Sequence, residues 1–163
     1  MTAATTGGAP RPVDLDDRAI GVARILDAEI TERVYAAAAY APLASWAHAR
    51  CTATFDVAAD AVTVLCGARG FAVEWRFAED GTVGARYRWR ANACPHGSRF
   101  APELSLAAPM QLDADAALDT WRYRIETVTR FENGVERVDQ GESVTPLFDA
   151  RRGEAAFTLR PMR

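Results

Sequence analysis

Residues Trp121 to Phe148 read WRYRIETVTRFENGVERVDQGESVTPLF, and this stretch decides the fold. Trp121, Tyr123, Ile125, Thr127, Thr129 and Phe131 recur every second residue, the period of a strand with one buried face. Asn133-Gly134 is a strong short hairpin signal, since a type I′ turn needs residues that accept positive φ. A two-residue turn there pairs Thr129 with Val138 and Phe131 with Glu136, and sets Arg130 opposite Arg137. Gln140-Gly141 then predicts a break, followed by a further strand over 143–149.

The same grammar extends upstream. Phe71, Val73, Trp75 and Phe77 alternate with polar or small residues, as do Val83, Ala85, Tyr87 and Trp89. Their apolar faces must coincide, because a one-residue slip would turn one strand over. A two-residue Asp80-Gly81 loop sets Trp75 against Arg86. A three-residue loop, Glu79-Asp80-Gly81, sets Phe77 against Val83, Trp75 against Ala85 and Phe71 against Trp89, with Gly81 left-handed. The sequence also predicts strands over 51–57, 61–66, 100–106, 110–112 and 154–160, with an exposed acidic loop over 113–119 and a corner at Arg151-Arg152-Gly153.

About nine or ten short strands joined by tight turns, with little helix, indicate an all-β antiparallel sandwich. Residues 1–12, small and punctuated by Gly and Pro, are expected to be a disordered tail. Residues 13–163 are expected to form one domain. Within it, the Ala-rich stretch 27–40 favours a helix or helical turn, with a short edge strand as the alternative, ended by Pro42.

Composition narrows the function classes. The 163 residues carry a net charge of −3, which disfavours non-specific nucleic-acid binding. All 19 basic residues are Arg and alanine is abundant, a coding bias pointing to a GC-rich bacterial genome. Three Cys without metal-ligand spacing fit idle thiols in a reducing cytoplasm. No apolar run is long enough for a membrane span and the N-terminus lacks secretory features, so a cytoplasmic protein with no membrane partner is expected.

Chemistry-bearing residues are sparse. Cys94-Pro95-His96 lacks a second ligand pair, and His48 is remote in sequence, so no metal or thiol site is expected. Glu74, Glu103, Glu126, Glu132 and Glu136 stand at strand or turn positions suited to ion pairs. Arg76, Arg86, Arg88 and Arg90 read as a solvated face. Of the four Trp, Trp75 and Trp89 fall on the core face. Trp46 lies outside the strand pattern and Trp121 starts a strand, so these two are the expected exposed rings.

Thr127-Val128, Glu132, Gly134, Glu136, Val138 and Gln140-Gly141, together with Phe100-Ala101-Pro102-Glu103-Leu104, resemble the C-terminal β-sandwich of the α-amylase/4-α-glucanotransferase enzymes of glycoside hydrolase family 57. The resemblance runs over 71–159. It implies a supersandwich of the galactose-mutarotase type, packed in those enzymes on a catalytic barrel that precedes it. The barrel and its catalytic carboxylates have no counterpart here. What the resemblance implies is therefore a non-catalytic module that needs no cofactor and binds an α-glucan or maltooligosaccharide, or docks on a glucan-active protein. Trp46, Trp121 and Glu103 are its candidate carbohydrate contacts. Two alternatives stand beside it: an assembly module without sugar binding, and a small mutarotase-like enzyme using Glu103 with His48 or His96.

Overall fold

A computed structural model describes residues 20–131 and 134–162, with the side chains of 127–131 left aside. The strands are β1 (Ile20–Leu26), β2 (Ala44–Ser45), β3 (Thr52–Val57), β4 (Ala61–Ala68), β5 (Phe71–Ala78), β6 (Val83–Trp89), β7 (Arg99–Leu106), β8 (Met110–Asp113), β9 (Asp119–Phe131), β10 (Gly134–Asp149) and β11 (Glu154–Pro161). Among the described residues one α-helix, α1, covers Glu32–Ala36. The strands form two antiparallel sheets, ordered β2-β1-β7-β10-β9 and β3-β4-β5-β6-β11-β8. The expected all-β sandwich is what the chain forms; the expected tail lies outside the described residues.

The inner faces of the two sheets meet in one core of Ile25, Trp75, Tyr87, Trp89, Phe100, Leu104, Phe148 and Phe157 with their neighbours. Trp89 of one sheet stacks on Phe100 of the other, with ring centroids 3.9 Å apart. Its indole N–H donates to the Ala150 carbonyl at 2.7 Å, which satisfies the one polar atom that burial would otherwise strand.

The β5–β6 hairpin has the expected register: Phe77 faces Val83, Trp75 faces Ala85 and Phe71 faces Trp89. Ala78 N–H donates to Thr82 O at 2.9 Å, closing the three-residue loop, and Gly81 takes φ 82°. The Asp80 carboxylate accepts from Thr82 N–H at 2.8 Å, a bond that holds its pKa below the usual value. Trp75 is buried, while Arg76, Arg86 and Arg88 are exposed. Phe77 departs from expectation at 37 % exposure, because the opposite sheet does not reach over it.

The β9–β10 register differs from expectation by two residues. Thr129 faces Glu136, Val138 faces Thr127 and Phe131 faces Gly134, so Gly134 opens β10 and does not sit inside a two-residue turn. Asn133 lies outside the described residues. A two-residue slip leaves every side chain on its original face, so alternation alone does not discriminate the two registers. The observed one moves Arg137 away from Arg130 and opposite Val128, where its guanidinium reaches Glu126 Oε2 at 3.0 Å.

Gln140-Gly141 is a bulge within one continuous strand, where a break was expected: the pairing shifts between Asp139 and Gly141. Gly141 has φ 110°, and a side chain there would collide with the Leu106 carbonyl.

In the N-terminal third the expected helical turn within 27–40 is α1, and a strand precedes it. Alanine propensity supports only the five residues of α1, started by Thr31 Oγ1 accepting from Val34 N–H at 3.4 Å. Ala38, at φ 50°, turns the chain away. The strand β1 was not foreseen, although it lies between β2 and β7 in the sheet.

Candidate functional site: a roofed carboxylate on the five-stranded sheet

Alternation along β7 sends Phe100, Leu104 and Leu106 into the sandwich and Ala101 and Glu103 to the outer face. The same rule puts Arg24 and Leu26 of β1, Ser143 and Leu147 of β10, and Trp121 and Tyr123 of β9 on that face. The face is not left to water. The segment carrying α1 folds across it, and Tyr35 joins Leu26, Ala101, Trp121 and Leu147 in a second apolar cluster.

Arg99 fastens the roof. Its Nη2 donates to the carbonyls of Asp27 and Ala28 at 3.0 and 2.9 Å, and also to that of Ile30. Its guanidinium carbon stands 5.2 Å from the Trp121 ring centre, a cation–π contact. The Trp121 backbone neighbour is tied in too, with Arg122 N–H donating to Glu32 Oε1 at 3.1 Å.

Beneath this roof Glu103 accepts four hydrogen bonds. Tyr123 OH and Ser143 Oγ donate to Oε1 at 2.7 and 3.1 Å. Tyr35 OH and Arg24 Nη1 donate to Oε2 at 2.7 and 2.6 Å. Arg24 Nη1 also reaches the Tyr35 oxygen at 3.1 Å. The Arg24 side chain is 2 % exposed and that of Glu103 14 %.

Burial by itself raises the Glu103 pKa. The hydrogen bonds from Tyr123 and Tyr35 and the charge of Arg24 outweigh it and hold the carboxyl below its usual value of 4.5. Tyr35 moves the other way: burial, then the Glu103 charge, push its hydroxyl well above 10, so it stays a donor.

A carboxylate so poised is a poor general acid at neutral pH and a weak base. With two donors on each oxygen, its lone pairs are committed to the protein. The arrangement ties α1 and strands β1, β7, β9 and β10 together through one anion. The donors are hydroxyls and a guanidinium; neither His48 nor His96 is among them, and both imidazoles lie at exposed positions elsewhere. Among the described residues no group of three or more His, Cys, Asp or Glu is arranged to hold a metal ion.

The other sequence candidates distribute as follows. Trp121 is 4 % exposed, wedged between Tyr35 and Arg99, so the expected exposed ring is instead a buried pillar of the roof. Trp46 is half-buried and stacks on Phe71 with centroids 4.5 Å apart. It does not share the Glu103 cluster. Arg86 lines an open groove of about 370 Å³ with Asp113, Arg152 and Glu154, the mixed charge expected of a solvated face. Sequence reasoning missed Arg24, Tyr35 and Ser143. The one available signal was Arg24, a single charge in the apolar run Ile20-Gly-Val-Ala-Arg-Ile-Leu26. Among the described residues, no helix is long and apolar enough to cross a membrane.

No protein-family model matches the chain, and no curated protein matches it significantly. Among solved structures it is similar to the 4-α-glucanotransferase of Thermococcus litoralis, with a TM-score of 0.59 and 19 % identity. The alignment covers 93 % of this chain and 28 % of the glucanotransferase, so the likeness is one of fold, to a part of a much longer enzyme.

Proposed function

We propose that this chain is a non-catalytic β-sandwich module related to the C-terminal domain of the family 57 α-amylases and 4-α-glucanotransferases, acting in the cytoplasm in α-glucan metabolism. It binds an α-glucan or docks on a glucan-active protein. The observation that carries this reading is the match of nearly the whole sandwich to a part of a 4-α-glucanotransferase, together with the sequence resemblance at 100–106 and 125–144. The state of Glu103 supports a non-catalytic role, because a carboxylate held ionised by four protein donors has neither the proton nor the free lone pairs that glycosidic chemistry requires.

Trp46 is the ring that serves glucan contact in this reading, since a sugar presents apolar C–H faces to an indole and Trp46 retains an accessible part. Glu103 contributes by fixing the Tyr35 and Tyr123 hydroxyls and the roof around them. Electrophoresis in gels with and without amylose or glycogen tests the reading. Retardation by the polysaccharide that is lost in Trp46→Ala supports glucan binding. Unchanged mobility with capture of a glucan-active enzyme supports docking. Turnover of maltooligosaccharides by the chain alone, abolished by Glu103→Gln, overturns the non-catalytic reading.

A second reading, an assembly module without sugar contact, is favoured by a different observation. Phe55, Val57, Val62 and Phe77 are exposed on neighbouring strands at one end of the six-stranded sheet.

A further inference from the structure

The six-stranded sheet ends in β3, whose six residues, Thr52 to Val57, are all exposed. Its side chains continue the rows of the core face: Phe55 lies opposite Val64, which lies opposite Trp75, and Val57 opposite Val62, which lies opposite Phe77. The other sheet covers Trp75, yet leaves Phe55 70 % and Val57 74 % exposed. Protected edge strands carry lysine, proline, a bulge or a covering element. The run Thr-Ala-Thr-Phe-Asp-Val has none of the first two, pairs regularly with β4, and carries only Asp56 as a charge.

The hydrogen-bond phase of this edge follows from one bond. Ala58 N–H donates to Ala61 O at 2.9 Å. Bonding alternates along an antiparallel pair, so Asp56, Thr54 and Thr52 share that phase and point their backbone groups at β4. Ala53, Phe55 and Val57 then present N–H and C=O to the open side. They are also the residues whose side chains extend the apolar face.

We propose that β3 pairs antiparallel with β3 of a second copy of this chain, about a two-fold axis at Phe55. This register places Phe55 opposite Phe55 of the second copy, and Ala53 opposite Val57 of the second copy. All three outward-facing residues of each strand become hydrogen-bonded pairs, and the two apolar overhangs join into one face. Asp56 falls opposite Thr54 of the second copy. An axis at Asp56 would oppose two carboxylates, and one at Thr54 would set Val57 opposite Cys51, beyond the end of β3, so charge and strand pairing select the same register. This interface goes beyond the glucan reading and does not depend on it.

Sedimentation velocity over a rising concentration series tests the pairing, with amide hydrogen exchange on the same samples. The expected result is a monomer–dimer equilibrium in which the Ala53, Phe55 and Val57 amides gain protection as dimer accumulates. Phe55→Pro removes an outward N–H while leaving every β3–β4 hydrogen bond, and Phe55→Lys brings like charges to the axis. Both should abolish the dimer with circular dichroism unchanged. Leu65→Lys, on the opposite face of β4, should leave it intact. Should Phe55→Pro fail to fold, Phe55→Lys and the wild-type exchange data decide. The proposal is overturned by a monomer at every concentration, by a dimer whose β3 amides exchange freely, or by a dimer lost in Leu65→Lys but not Phe55→Lys. Protection of these amides independent of concentration overturns it as well, and would place another segment of the same chain on the edge.

Discussion

The outer face of the five-stranded sheet and the β3–β4 end of the six-stranded sheet invert the usual relation between polarity and burial. The first carries Arg24, Glu103, Ser143 and Tyr123, yet it lies under α1 with Arg24 2 % exposed. The second carries Phe55, Val57 and Val62, yet it is open. A polar face tolerates a roof when its buried ions find partners, and Glu103 supplies partners to four groups at once. An apolar face stays open when the opposite sheet is narrower than its own. Burial here follows the relative width and placement of the layers.

The contrast predicts a graded set of mutational effects. Glu103→Ala should be the most damaging, because it removes the carboxylate facing a buried guanidinium. A loss of roughly 3–5 kcal/mol is expected in urea unfolding. A loss under about 1 kcal/mol would mean that the roof, and not the anion, holds the cluster.

Tyr35→Phe keeps the ring in its cluster and removes one donor to the carboxylate. About 1.5–3 kcal/mol should be lost, the range for a hydrogen bond to a charged group. An unchanged midpoint would show that water replaces the hydroxyl and that the face is wetter than its burial implies.

The pH dependence has a definite sign. The folded-state pKa of Glu103 is depressed, so its contribution is fully present above the ordinary value of 4.5 and is lost as pH falls through the lowered folded value. Wild-type stability should therefore fall more steeply in acid than that of Glu103→Gln. Parallel acid limbs in denaturation series run down past the ordinary glutamate value would remove Glu103 as the titrating group.

Phe55→Ser, in dilute monomer, should be the mildest change. A ring 70 % exposed loses little on truncation, within about 0.5 kcal/mol. A loss several times larger, measured where no dimer forms, would mean that the overhang is covered in solution and that the comparison fails at this end.

The β5–β6 hairpin was legible in the sequence because its two registers differ by one residue, and a one-residue slip would have exposed Trp75. The β9–β10 hairpin was not, because its alternatives differ by two residues and both respect the alternation. Glu103 was legible as a residue to notice, since it stands in Phe100-Ala-Pro-Glu-Leu104 where the resemblance is clear. Its four donors were not, because they come from β1, α1, β9 and β10, up to 79 residues away in the chain. Trp121 read as a strand-start ring open to solvent; only α1 settling over the face turned it inward.

The sequence by itself determined the all-β class, most of the strands, the buried faces of β5 and β6 and the three-residue loop at Gly81. These rest on local period-two alternation and on turn chemistry, which act between residues close in the chain. Only the tertiary structure decided which face of each sheet would be covered, that Glu103 would gather Arg24, Tyr35, Tyr123 and Ser143, and that β3 would stand uncovered. Those outcomes depend on how far two sheets overlap and where a five-residue helix lands, quantities set by packing between distant segments that no local pattern encodes.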